Sequence, residues 1–274
     1  MDQPLVSIVI PHWQVQELMT LCLRSIRRHT RDLPYEVIVV DNGSKDASLD
    51  WLRSLKWIRL IERGEQTPQE WIVAMATALD IGIAEGRGKY LLIMHSDVIV
   101  KRDGWLKLLV DAIESGDDKT AAAGTGKLET KSKLSLLLKK WTDTKRFKLW
   151  LRRTFLGDQK AVWIERPVAP RDFCALYRLD VLREHKLSFI QRGELSAGDS
   201  MYLNLVERGY NAKMIPVPTM MSYIDHIAHA TAAVRPEERR LKHSRTQRKT
   251  ERKIEDLFSR EDVKSLLADV ALDQ

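Results

Sequence analysis

Three polar clusters stand directly after continuous apolar runs: Pro11-His12-Trp13-Gln14 after residues 6–10, Asp41-Asn42-Gly43-Ser44 after residues 37–40, and His95-Ser96-Asp97 after residues 90–94. Each sets an imidazole, hydroxyl or carboxylate against a stretch too apolar to solvate it, which costs free energy unless something else uses the polar group. In an open parallel sheet, ligands bind beyond the carboxyl ends of the strands, near the point where the strand order reverses. Polar residues at those ends are therefore the candidate ligand-binding groups. Gly124-Thr125-Gly126-Lys127 superficially resembles a phosphate loop. However, Ala121 stands where the first glycine of GxxxxGK[ST] belongs and Leu128 replaces the hydroxyl residue, which excludes it.

The elements that must position these clusters alternate. Short apolar runs at residues 6–10, 37–40, 58–61 and 90–94 have the pattern of strands buried on both faces, and each interval leaves room for one helix. Leu18, Cys22 and Ile26 share a helical face. Thr67-Pro68-Gln69-Glu70 forms a capping box with Pro at the first helical position, and Trp71, Met75, Ala78 and Gly82 form the inward face of the helix that follows. A helix over 105–114 turns Leu106, Leu109 and Ile113 inward. This order predicts an α/β fold: an open, mostly parallel, Rossmann-like sheet with helices on both faces. Beyond residue 120 the spacing loosens, with strands expected over 121–128, 173–177 and 213–217 and a helix over 199–208 stopped by Gly209.

The 274 residues are 44% hydrophobic and 30% charged, a globular composition able to bury a core without disulfides. Cys22 and Cys174 lie in apolar surroundings without metal-site spacing, which predicts buried thiols in a reducing compartment. The first residues lack a basic leader region and their apolar run breaks at Pro11, so they read as a core strand and not a signal peptide. No apolar stretch reaches the ~18 residues that span a bilayer. The expected location is the cytoplasm, with peripheral attachment at the inner face of the membrane. The net charge of +7 is uneven: residues 127–166 carry +8 and residues 235–260 carry +5, leaving the remainder at −6.

VSIVIPHWQVQELMTLCLRSIRRHT, EVIVVDNGSKDASLDWL and GKYLLIMHSDVIV, in that order and spacing, resemble the opening motifs of family 2 glycosyltransferases with the GT-A fold. The likeness covers residues 4 to 115, with weaker correspondence to about 231. It implies transfer of a hexosyl or related sugar from a UDP-, dTDP- or GDP-linked donor to a glycan or lipid-linked glycan, with inversion and with Mn²⁺ or Mg²⁺. Asp41 then matches the acidic residue that contacts base or ribose, although it could instead cap the turn through Asn42-Gly43-Ser44. Pro11, His12 and Trp13 fall at the first nucleotide-binding motif, with Trp13 placed to stack near the base and Gln14 in place of the family's Asn. His95, Ser96 and Asp97 stand at the DxD-like motif, where Asp97 matches the carboxylate that binds the cation on the donor diphosphate.

The resemblance extends to two later positions. His226, before Ile-Ala-His229-Ala-Thr, matches a family histidine, which implies a second metal ligand, with His229 as competitor and a polar helix start as the alternative; imidazole suits Mn²⁺ better than Mg²⁺. Asp199 matches the general base of an acidic pair whose first member is Gly198 here; an N-cap role for Asp199 and Glu194 as reserve base are the alternatives. Asp80 matches an Asn near the diphosphate, where an acid is unfavourable. A sugar nucleotidyltransferase would carry a Gly-rich basic signature after the first strand, which PHWQVQEL lacks.

The basic stretch from Lys131 to Phe155 interleaves aromatic, leucine and cationic residues, as expected of a helix at an anionic membrane interface, of helices packed on the sheet, or of a single-strand nucleic-acid binder. No nucleic-acid motif accompanies it. The organisation expected is a GT-A domain over 1–234, with its nucleotide-binding half ending near 120 and its acceptor half over 121–234, followed by a basic helical extension over 235–274 that contacts membrane, forms an oligomer or lies in solvent. The rival function is a noncatalytic surface- or nucleic-acid-binding protein on the same fold.

Overall fold

The computed structural model describes residues 3–64, 68–128, 154, 169–193, 195–228, 230–234 and 244–274. The first four apolar runs form β1 (Val6–His12), β2 (Tyr35–Asp41), β3 (Ile58–Glu62) and β4 (Tyr90–Met94). These pair in parallel in the order β3-β2-β1-β4. The sheet continues through β7 (Cys174–Arg178), β6 (Thr120–Thr125) and β8 (Asn211–Ile215), with β7 antiparallel to both its neighbours. The order reverses beside β1, so the ends of β1 and β4 flank the crevice where ligands bind in such sheets. A separate antiparallel pair joins β5 (Val98–Val100) to β9 (Ile224–His226).

Alternation along β1 divides the core. Val6, Ile8 and Ile10 pack with Cys22, Ile26, Trp105 and Leu109 on one face, where α1 (Gln16–His29) and α4 (Trp105–Glu114) lie. Val9 packs on the other face with Ala76, Leu79, Leu182 and Met201, from α3 (Pro68–Glu85), α5 (Leu179–Glu184) and α6 (Ala197–Val206). A Cβ at Gly82 would meet the Val9 side chain at 2.8 Å, so this glycine lets α3 approach β1. The remaining helices are α2 (Ser48–Ser54), α7 (Val217–Met221), α8 (Ala230–Val234), α9 (Ser244–Ser259) and α10 (Glu261–Ala268), with a 3₁₀ turn over Val270–Asp273.

Several boundaries differ from the periodicity. The last strand runs 211–215 and the helix before it 197–206, because Gly209, at φ +81°, already turns the chain. Leu18 does not share the sheet-facing side of α1 with Cys22 and Ile26. It joins Val15, Leu21, Ile99, Ile227, Leu257, Val263 and Leu266 in a third apolar cluster. That cluster exists because α9 and α10 fold back over α1. Beyond residue 244 the chain forms α9 and α10, and their apolar side is packed against the body. Both cysteines are free and buried, and burial raises both thiols, that of Cys174 to about 12. The basic residues of 129–153 and 155–168, Glu194, His229 and residues 235–243 lie outside the described residues. Among the described residues no helix is long and apolar enough to cross a membrane.

Candidate metal and transfer site

The turn after β4 carries His95, Ser96 and Asp97, and is closed by the Val98 amide donating to the His95 carbonyl at 3.2 Å. Immediately after it, β5 pairs with β9 in a register that sets Val98 opposite His226. The Ile227 amide donates to the Asp97 carbonyl at 3.2 Å. Two segments far apart in sequence are thereby fastened side by side. His226 Nε2 lies 3.4 Å and His95 Nδ1 3.9 Å from Asp97 Oδ1. One ligand atom from each of the three residues falls within 4.8 Å of the others, the only such group of metal-binding residue types found among the described residues.

Asp97 is buried, and its Oδ1 accepts no hydrogen bond, because the His226 contact lacks the geometry of one. Burial alone would raise this carboxyl, yet His226 and His95, with the Ala230 amide, outweigh it and hold it below the ordinary carboxylate value. A buried anionic oxygen facing two imidazoles fits a divalent cation by charge, donor type and spacing. Phe173 contacts both histidines: its carbonyl accepts from the His95 backbone amide at 3.0 Å, and its ring stacks on that of His226 at 4.2 Å between centroids. Nothing about Phe173 in the sequence marks it beyond its place at the start of a strand.

The loops after β1 and β2 form the neighbouring wall. Pro11 and His12 end β1 opposite Val40 and Asp41, Trp13 follows half-buried, and Gln14 and Val15 both adopt left-handed backbone (φ 55° and 61°). Such a conformation is strained for a β-branched residue, on the order of 1–3 kcal/mol, and persists only where its surroundings impose it. Here the Gln14 amide donates to Ser44 Oγ and the Val15 amide to Asp46 Oδ2, each at 2.8 Å. Asp41 is 1% exposed, and its carboxylate accepts from the Gly43 and Ser44 amides at 3.0 Å and from the Ser44 hydroxyl. The turn-capping role is thus realised, and the carboxylate faces its own loop. His12 is equally buried, bonded through Nε2 to Ser48 Oγ at 2.8 Å, and burial lowers its pKa to about 4 despite Asp41 and Asp46. It is a neutral framework residue that braces the loops.

Asp199 lies one turn into α6. The N-cap is Ser196, whose Oγ accepts from the Asp199 amide at 3.1 Å and donates to Asp199 Oδ2 at 2.9 Å, so Asp199 is a partner of the cap and not the cap itself. Its side chain keeps 35% exposure, with Arg171 Nη1 at 3.8 Å. A Cβ at Gly198 would sit 3.1 Å from Asp172 Cβ and 3.2 Å from its amide nitrogen. At the position of the missing first acid α6 thus packs closely on Asp172, and the next residue is Phe173, which contacts His95 and His226. Asp80 accepts from Ser188 Oγ at 2.6 Å and the Phe189 amide at 2.7 Å, and burial raises its carboxyl, which makes it a structural tie to the loop before α6.

Comparison with known proteins gives the family of the chain and the relatives of its fold. The family model described as Glycosyl transferase family 2 matches residues 7–185. The "Putative glycosyltransferase EpsH" of Bacillus subtilis (strain 168) is 26% identical over 209 residues, which are 74% of this chain and 56% of that protein. Among solved structures, the mannosyltransferase PcManGT from Pyrobaculum calidifontis, in complex with GDP-Man and Mn²⁺, has a TM-score of 0.51 at 17% identity, covering 78% of this chain and 55% of that one. Glucosyl-3-phosphoglycerate synthase from Mycobacterium tuberculosis, with Mn²⁺, UDP and phosphoglyceric acid, has a TM-score of 0.49 at 17% identity, covering 78% and 68%. The chain thus spans a little over half the length of EpsH and PcManGT. With the family model matching well over half of its residues and the GT-A sheet order realised, this chain belongs to glycosyl transferase family 2.

Proposed function

We propose that the chain is a metal-dependent, inverting glycosyltransferase that moves a sugar from a nucleoside-diphosphate donor to a hydroxyl of a glycan or lipid-linked glycan. The observation that carries this reading is the meeting of His95, Asp97 and His226 around an unpartnered, buried carboxylate oxygen at the switch point of the sheet. Asp97 and His226 would hold the cation. When bound, the cation neutralises negative charge on the departing diphosphate. The loops over 11–15 and 41–48, braced by His12, Asp41, Ser44 and Asp46, form the wall against which the nucleoside is oriented.

Asp199 acts as general base. The acceptor oxygen forms its bond to the anomeric carbon as the bond from that carbon to the diphosphate oxygen breaks, the electron pair leaving with the diphosphate. The acceptor proton passes to Asp199, which stands at a partly open helix start tied through Asp172 to the metal ligands. Attack from the face opposite the diphosphate inverts the anomeric configuration.

The direct test is transfer from UDP-, dTDP- and GDP-sugars with Mn²⁺, followed by product analysis. Asp97→Ala and Asp199→Asn are each expected to lower kcat/KM by at least about 100-fold. Near wild-type transfer by either variant would remove that residue from its role. The absence of thermal stabilisation by every nucleotide would favour a noncatalytic binding protein. Arg248, Lys249, Arg252 and Lys253 leave α9 with an exposed basic face, which favours an acceptor carried on an anionic membrane surface. Failure to sediment with phosphatidylglycerol vesicles at low salt would contradict that placement.

A further inference from the structure

The family resemblance assigns the cation to Asp97 and His226, with diphosphate oxygens completing the shell. The third member of the cluster changes what the site can bind. His95 Nδ1 is 3.9 Å from Asp97 Oδ1, and His226 Nε2 is 3.4 Å from the same oxygen. A first-row transition ion holds such donors at about 2.0–2.2 Å, which puts neighbouring ligand atoms roughly 3.0–3.4 Å apart. The His226 contact already falls in that range, the His95 contact lies about half an ångström beyond it, and all three ligand atoms lie within 4.8 Å of one another, so small side-chain adjustments would bring them onto one ion.

The ligands are also fixed in advance. The His95 backbone is held on both sides, its amide by the Phe173 carbonyl at 3.0 Å and its carbonyl by the Cys22 thiol at 3.7 Å. The His226 ring lies against Phe173, tilted from it by 16°, and the His95 ring meets His226 edge-on at 5.8 Å. Pre-ordered ligands lose little freedom on binding, so less of the affinity has to come from the nucleotide. Two imidazoles and one carboxylate suit Mn²⁺ and its heavier neighbours, whereas Mg²⁺ favours oxygen ligands and retains its water.

We infer that His95 is a third protein ligand, and that the site therefore binds a first-row transition-metal dication, Mn²⁺ in particular, without nucleotide and in preference to Mg²⁺. This deepens the proposed transferase reading and rests on it for the role of the bound ion, while the binding itself is measured separately.

The test uses the full chain, stripped with chelator and titrated with Mn²⁺ in the absence of nucleotide, following loss of the free-ion paramagnetic resonance signal. One equivalent should bind, a hundredfold excess of Mg²⁺ should leave most of it bound, and pulsed measurement should detect couplings to two imidazole nitrogens. His95→Gln is expected to weaken Mn²⁺ at least tenfold and reduce the couplings to one imidazole, while its circular dichroism stays that of the parent. Equal Mn²⁺ affinity in parent and His95→Gln, or a single imidazole coupling in the parent, would overturn the assignment; the latter readout requires no variant to fold. If Mn²⁺ binds as described but no nucleotide stabilises the loaded protein, the transferase reading fails and this one stands. If nucleotide binds but Mn²⁺ binds only with it, the reverse holds.

Discussion

At the residue scale, the buried His12 beside the site and the proposed metal ligands His95 and His226 differ in their surroundings. His12 is sealed behind β1 and β2 with Ser48 as its hydrogen-bond partner, and its environment disfavours the cation. Its pKa is about 4 in the fold against 6.5 in the open chain, so the folded state binds this proton less readily. The resulting stability is fully present above pH 6.5 and is lost as pH falls toward 4, by up to about 3 kcal/mol. Urea midpoints at pH 7 and pH 4.5 should show that His12→Gln loses less stability over this interval than the parent. Equal losses would show that other groups set the acid limb. The same contrast explains what the sequence could reveal. Asp97 and His226 stand at positions that resemble a family motif, whereas the hydrogen bonds that tie His12 to Ser48 and Asp41 to its own loop are disclosed only by the fold.

At the element scale, β1, β2 and β4 were readable because both their faces are buried, which leaves apolar runs with little alternation to misread, whereas β3, at the sheet edge, is only partly buried. The β5–β9 pair was not readable, since strands of three residues have no period, yet it is the element that brings His226 to Asp97. Its hold depends on Asp225, whose two oxygens accept from Lys101 Nζ and Arg260 Nη1, each at 2.8 Å. These groups are partly exposed, so the pair with Arg260 contributes no more than about 1 kcal/mol to global stability. Its effect on ligand placement should be larger. Arg260→Ala is expected to weaken Mn²⁺ binding by about tenfold while the urea midpoint moves little. Loss of stability without loss of metal affinity would reduce Arg260 to a surface contact.

At the scale of the whole molecule, the charge of +7 is distributed so that α1 presents Arg24, Arg27 and Arg28 to an acidic chain end. Arg24 pairs with both oxygens of Asp273 at 2.6 and 2.7 Å and donates to the Leu266 and Leu267 carbonyls. Arg28 pairs with Asp269 at 2.9 Å. Beneath these bonds Leu257, Val263 and Leu266 pack with Ile99 and Ile227, which lie beside the turn carrying Asp97 and the strand carrying His226, and with Val15 in the strained loop after β1. The last helices therefore hold together the ends of three site segments, a role that neither their composition nor their charge reveals. Asp273→Ala leaves the Arg24 guanidinium, 5% exposed as a residue, without its counter-charge and should cost about 3 kcal/mol. Adding Arg24→Met removes the buried charge, keeps an apolar stem against α10, and should recover most of that loss. If the helices act as a strap on the site, Mn²⁺ affinity measured well below the unfolding transition should fall in Asp273→Ala and return in the double variant. A stability loss that leaves metal affinity untouched would instead make this contact a fastening of α1 alone.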